Sequence, residues 1–353
     1  MLSSLSKSSS KFLTRAVFSA SRIRRPITAT NTTATTAAAA AMTTATATTA
    51  TATKIRAIVF DVDDCLYDVA SGFTAHRNGE IIWRYMVEKH GFPSAEEARA
   101  VRDEYFARYH STAKALTIAQ SEGRFPVDDP RGSVPFDPKD MSRYWVDHLE
   151  YDKLWKNPRY ETVDDSVEAK RDFAAALDNC PAKLIAFSNG PRAYVMKVLD
   201  TLGYLHLFSS SSSSSDGGDT KDGAFLWGVD DVLPHCKPEP EAFRKIFDAL
   251  EERKDGDGDG DGGDGPIRPE DCVMVEDSMK NLRAAKALGM KTVLVTGSRE
   301  EGRILAEDAP SADEPYIDAA VTVAEELPAV LPGLWRDPPV FEPPEPTVPA
   351  SPS

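Results

Sequence analysis

Three carboxylates, Asp61, Asp63 and Asp64, stand within four residues directly behind the apolar run Ala57-Ile-Val-Phe60. Like charges this close repel, and an ion buried without a partner is costly. Such crowding is worthwhile where the group holds a cation or takes part in a reaction. Three more clusters of reactive residues occupy comparable places. Ser188-Asn189-Gly190 follows Leu184-Ile-Ala-Phe187, and Glu276-Asp277-Ser278 follows Cys272-Val-Met-Val275. Lys237, in His-Cys-Lys-Pro-Glu-Pro, precedes a helical stretch. Open α/β sheets bind ligands beyond the carboxyl ends of their strands. Singly each cluster has an ordinary reading: a strand-end Asp caps a helix, Ser-Asn-Gly makes a turn, and a Lys before Pro is solvated. Together, in this order and each at a sheet edge, they point to one site.

The elements that must position them are legible as alternation. Ala57–Phe60, Leu184–Phe187, Cys272–Val275 and Thr292–Val295 read as buried parallel strands. After the second strand Pro191 fits the first turn of a helix. Val195, Val198, Leu199 and Leu202 mark one face of that helix, and Gly203 ends it. This predicts an α/β fold, a doubly wound parallel sheet. More than 110 residues of purely helical patterning separate the first two strands. There Ile81, Ile82, Tyr85 and Met86 share a face, and Ser94-Ala-Glu-Glu97 reads as a capping box. An insertion of this length, residues 71–177, suits a helical cap over the strand ends, with the catalytic core at 54–70 and 178–335.

The remaining segments are compositional. Residues 1–53 read as an organelle transit peptide and an Ala/Thr-rich linker, directing the chain to a mitochondrion or plastid; a form starting at Met42 is expected in the cytosol. Residues 209–224 and 254–266 read as low-complexity loops, and 336–353 as a Pro-rich disordered tail. No frame of Asp255–Gly265 fits an EF-hand: starting at Asp259 puts Glu270 at position 12 but Gly263 at 5 and Asp264 at 6. Residues 1–60 carry +8 within a total of −15, so the body carries −23, a poor match for nucleic acid. No apolar run is long enough to span a bilayer. The four cysteines, Cys65, Cys180, Cys236 and Cys272, form no Cys-x-x-Cys pair and are read as reduced thiols.

The stretches FDVDDCLYDVASG, AFSNGPRAYVMKVLDTLG, CKPEPEAF and VEDSMKNLRAAKALG resemble the four motifs of the haloacid dehalogenase superfamily (Asp-x-Asp, Ser/Thr, Lys and an acidic pair), specifically its pyrimidine 5′-nucleotidase-like branch. The resemblance covers about Lys54 to Trp335. Two departures stand out. Cys65 replaces the usual Thr, and a cap signature resembling Tyr-Gly-Thr-x-x-x-Gly-Leu appears as Tyr109-His-Ser-Thr-Ala-Lys-Ala-Leu116.

The resemblance implies phosphomonoester hydrolysis, in which charge neutralisation and positioning supply most of the acceleration. Asp61 would be the nucleophile, forming an aspartyl-phosphate, and Asp63 the acid and base. Mg²⁺ would sit on Asp61, the Asp63 carbonyl and Asp277, with Glu276 supporting it through water. Ser188, Asn189 and Lys237 would bind the phosphoryl group, Lys237 neutralising its developing charge. Asp64 and Asp68 read as loop or capping residues and Cys65 as a packed one. The implied partner is a small phosphorylated substrate, a nucleotide first. Small sugar phosphates, a phosphomutase reaction, phosphonate hydrolysis through a Lys114 Schiff base, or a silent interaction protein on the same fold are the alternatives. Dehalogenation is disfavoured because it has no use for Asp63. Oligomeric state is left open.

Overall fold

The computed structural model describes residues 53–209, 224–254, 265–298 and 311–344. The leader, most of both low-complexity loops and the last nine residues lie outside the described residues.

Eight strands are present among the described residues: β1 (Thr53–Lys54), β2 (Ala57–Phe60), β3 (Lys183–Phe187), β4 (Leu226–Trp227), β5 (Cys272–Glu276), β6 (Lys291–Val295), β7 (Ala319–Val321) and β8 (Val340–Phe341). Six form one sheet in the order β4-β3-β2-β5-β6-β7, every pairing parallel. The order reverses direction around β2, which puts the Asp61 loop at the topological switch point, where such sheets bind ligands. Strand residues alternate between two cores. Ile58, Phe60, Ala186 and Val275 face one, and Val59, Ile185, Phe187 and Met274 the other. Helices α6 (Val163–Asp178) and α7 (Arg192–Leu202) cover the first face; α9 (Pro240–Lys254) and α10 (Met279–Ala287) cover the second. Both faces are thereby dry, which is why the strands read as continuous apolar runs. The short β4 and β7, of two and three residues, carry too little pattern to have been foreseen.

Between β2 and β3 the chain is helical, as expected: α1 (Phe73–His76), a π-helical turn at Arg77–Ile81, α2 (Ile82–His90), α3 (Ala95–Tyr109), α4 (Thr112–Ser121), α5 (Pro138–His148) and then α6. Ile81, Ile82, Tyr85 and Met86 are all buried. Ser94 caps α3 by accepting from the Glu97 amide at 3.2 Å, the Ser half of the expected box. Two readings need correction. The insertion taken as 71–177 includes α6, yet α6 packs on the sheet layer: Phe173 meets Tyr204 edge-on, and Trp335 Nε1 donates to Ala176 O at 2.7 Å. Its apolar face lies on the core rather than over the strand ends. The tail from 336 does not begin disordered either. β8 pairs antiparallel with β1, and Phe341 is buried. Two adjacent apolar residues, Val340 and Phe341, in a run of prolines gave no periodicity to read. A smaller shift concerns Pro191, which is the N-cap of α7 and lies one residue ahead of its first turn. Two short helices, α8 (Val229–Val232) and α11 (Leu327–Val330), complete the α-helices among the described residues. No helix among the described residues is long and apolar enough to cross a membrane.

Candidate active site

The strand ends converge on one cavity of about 600 Å³. Asp61, Asp63, Asp64, Asn189, Lys237, Glu276 and Asp277 line it from the sheet; Arg77, Phe106, His110 and Trp145 line it from the inserted helices. The backbone fixes its floor: the Asp61 amide donates to Val275 O at 2.9 Å and the Ser188 amide to Trp227 O at 3.0 Å, extending the sheet ladder into the loops.

Lys237 is the hub. Its ammonium is buried and lies 2.8 Å from Asp61 Oδ1 and 2.6 Å from Glu276 Oε2, while donating to Phe187 O at 2.8 Å. Burial works against its charge, but the two carboxylates prevail and raise its pKa above the ordinary lysine value. Asp61 is raised as well: burial first, then the charge of Glu276, hold it well above the usual carboxylate range despite Lys237. Oxygens of Asp61, Glu276 and Asp277 lie within 4.8 Å of one another. Three hard oxygens at this spacing, with carboxylates that repel when left to themselves, fit the donor set of a small divalent cation. Glu276, expected to act through water, brings an oxygen within this same 4.8 Å spacing.

Asp63 belongs to a different cluster. Its Oδ1 accepts from Tyr67 Oη at 2.8 Å and Tyr194 Oη at 2.6 Å. Its Oδ2 lies 2.6 Å from Arg77 and accepts from Ser188 Oγ at 3.3 Å. Burial pushes the Asp63 carboxyl up, but the Arg77 guanidinium and the two phenols overcome it and hold the pKa below the ordinary value. The Arg77 carbon centre lies 5.2 and 4.9 Å from the Trp145 and Tyr194 rings, which themselves meet edge-on. Arg77 sits in the π-helical turn, an irregularity that recurs at functional sites.

The sequence-derived residues thus meet. Ser188 is fully buried behind the cavity wall, its hydroxyl engaged with Asp63 and the Gly190 amide (2.9 Å). Asn189 lines the cavity yet spends its amide on the Lys237 backbone, donating to Lys237 O at 2.8 Å and accepting from Lys237 N at 2.9 Å. These bonds tie Ser188 to Asp63 and Asn189 to the Lys237 backbone. Asp68 is the cap that was expected, accepting from Ala70 N at 2.7 Å, and it also holds the Ser298 amide at 3.1 Å. Cys65 is buried, and burial, then Asp61 and Glu276, push its thiol well above the ordinary value, which keeps it un-ionised and inert. Lys114 is tied to Glu239 and does not line the cavity, so it is not placed to form a Schiff base there.

Sequence reasoning missed Arg77, Tyr67 and Tyr194. Arg77 had a signal: at i+4 spacing it lies between Phe73 and Ile81, both buried, so it falls on the apolar stripe, where a charge needs a partner.

A model of the haloacid dehalogenase-like hydrolases matches residues 55–289, about two thirds of the chain. Among curated proteins nothing matches. Similar solved structures include L-2-haloacid dehalogenase from Xanthobacter autotrophicus with chloropropionic acid covalently bound (17% identity, covering 78% of this chain and 98% of that one, TM-score 0.40). A HAD phosphatase from Thermococcus onnurineus is 17% identical over 78% and 97% of the two chains, TM-score 0.41. CbbY from Rhodobacter sphaeroides in complex with phosphate is 17% identical over 77% and 96%, TM-score 0.42.

Proposed function

Because the chain belongs to the haloacid dehalogenase-like hydrolases, we propose that it is a Mg²⁺-dependent phosphomonoesterase working through an aspartyl-phosphate, with nucleoside 5′-monophosphates as its preferred substrates. The observation that carries this reading is the second carboxylate. Asp63 is fixed by four donors on the wall of the cavity whose floor holds Asp61. A halide leaves without a proton, whereas an alkoxide leaving group needs one.

In the first step Asp61 attacks phosphorus and the ester oxygen departs with a proton from Asp63. In the second, water attacks the acyl phosphate while Asp63 takes its proton, releasing inorganic phosphate and restoring Asp61. Asp63 is held ionised by Arg77, and the arrival of a phosphoryl dianion beside it raises its proton affinity toward what the first step needs. Lys237 stays charged throughout and stabilises the extra negative charge of the transition state next to Asp61. Asp61, Asp277 and Glu276 would hold the cation, together with the Asp63 carbonyl that the family resemblance implies. When bound it supplies charge neutralisation between nucleophile and phosphoryl group. The helical insertion, by its position on the cavity wall, is the natural reader of the leaving group.

The test is a panel of phosphomonoesters (UMP, CMP, AMP, ribose 5-phosphate, phosphoglycolate) and 2-chloropropionate, assayed with Mg²⁺ and with EDTA. We expect Mg²⁺-dependent release of phosphate, fastest from nucleotides, and its loss by about 10³-fold or more in Asp61→Asn. Chloride release without phosphate release would replace the phosphatase reading by dehalogenation. A sugar phosphate or phosphoglycolate that beats every nucleotide would remove only the nucleotide preference.

A further inference from the structure

Two non-glycine residues among the described ones have a left-handed backbone, Asp64 (φ 57°) and His110 (φ 53°), and both line the cavity. Asp64 belongs to the catalytic loop. His110 has no part in the proposed chemistry. It is the C-cap of α3, its amide donating to Phe106 O at 2.8 Å. At this place glycine is the residue with no steric cost. The family signature that Tyr109–Leu116 resembles has glycine there, so this chain carries an imidazole where a bare backbone would be cheaper. Side chains in such backbone conformations persist at sites where they have a use.

The surroundings indicate the use. His110 O accepts from Asn189 Nδ2 at 3.4 Å, and Ser111 Oγ donates to Asn189 O at 3.3 Å, so the end of α3 is fastened to the loop that carries Ser188. Phe106, one turn earlier, is half-buried, lines the same cavity, and sits edge-on to His110 at 6.4 Å. The Arg102 guanidinium lies 4.0 Å over the Phe106 ring and holds it. Across the opening, Lys280 Nζ approaches His110 Nε2 at 3.5 Å, which joins the inserted segment to α10. Two rings and an ammonium lining the cavity form a surface for a flat, polar ring rather than for an open-chain or sugar leaving group.

We propose that His110 is a specificity-determining residue, its imidazole acting with Phe106 as the contact surface for a planar ring carried by the leaving group. This rests on the phosphomonoesterase reading and narrows its substrate class to ring-bearing monoesters, of which nucleoside monophosphates are the test case.

Restoring glycine is a mild change to the fold, since it relieves the left-handed strain. The experiment compares wild type, His110→Gly and Phe106→Leu on UMP and on ribose 5-phosphate, which presents the same phosphoryl-sugar linkage without the base. We expect His110→Gly to melt no lower than wild type and to lose about tenfold in kcat/KM on UMP, the scale of one stacking contact. On ribose 5-phosphate it should stay within about twofold of wild type, and Phe106→Leu should show the same split. Equal losses on both esters, or no loss on UMP, overturn the role of His110 while leaving phosphatase activity in place. A wild-type protein that cleaves neither ester overturns the phosphatase reading and this inference with it.

Discussion

At the scale of single residues the site divides into two buried charge clusters with separate tasks. Lys237 binds Asp61 to Glu276, and Arg77 binds Asp63 to the inserted helices. The second pair makes a quantitative prediction. The Arg77 side chain is 8% exposed and that of Asp63 15%, so removing one partner strands the other charge away from water. Arg77→Met should cost about 3–5 kcal/mol in urea unfolding, as for other broken buried pairs. The double variant Arg77→Met with Asp63→Asn should recover most of that loss, because no ion is then left unpaired. Strict additivity of the two single changes would show that the pair does not act as a unit. The sequence already contained the first cluster, since Asp61, Lys237 and Glu276 each follow or flank a recognisable element. The second was not legible as a cluster, because Asp63, Arg77 and Tyr194 are 14 and 117 residues apart along the chain and meet only when the insertion folds onto the sheet. His110 was visible in the sequence only as a departure from a signature; its left-handed backbone gives that departure a meaning.

The elements show the same division between pattern and context. Four sheet strands were plain because burial on both faces demands unbroken apolar runs, and α7 was plain because its apolar positions repeat every three to four residues. What escaped was set by tertiary context: the two- and three-residue strands β4 and β7, the assignment of α6 to the sheet layer, and the β1–β8 ribbon. That ribbon closes the described part of the fold. Ile55 N donates to Pro339 O at 2.9 Å, Thr53 pairs with Phe341, and the Phe341 ring is 2% exposed within the larger core. The proline-rich end is thus a structural part of the catalytic unit as far as its ring reaches. Phe341→Ala should lower stability by about 3–5 kcal/mol, the usual cost of emptying a buried phenylalanine site. A chain ended after Asp337 should show a similar loss in denaturant midpoint. If both unfold like the full chain, the ribbon contributes no stability.

For the molecule as a whole, the concentration of carboxylates at one end of the sheet makes stability depend on what the site binds. Without a cation, Asp61, Glu276 and Asp277 bring oxygens within 4.8 Å of one another, and Asp61 and Glu276 share the Lys237 ammonium. Mutual repulsion, offset in part by Lys237, then works against the native state, while the unfolded chain lets these carboxylates separate. A bound divalent cation reverses the balance and stabilises only the folded form, by about 2.7 kcal/mol at a hundredfold excess over Kd. For a domain of this size each kcal/mol moves the melting point by about 2–4 °C, so saturating Mg²⁺ should raise wild-type Tm by about 5–10 °C. Asp277→Ala removes both a ligand and a repelling charge, so its effect must change sign with the metal. In EDTA the variant should melt at or above the wild-type temperature, and in saturating Mg²⁺ clearly below it. Calorimetry of both proteins in both buffers checks this without any substrate. Curves for Asp277→Ala that shift with Mg²⁺ as far as those of wild type would place the cation elsewhere than on the Asp61, Glu276 and Asp277 carboxylates.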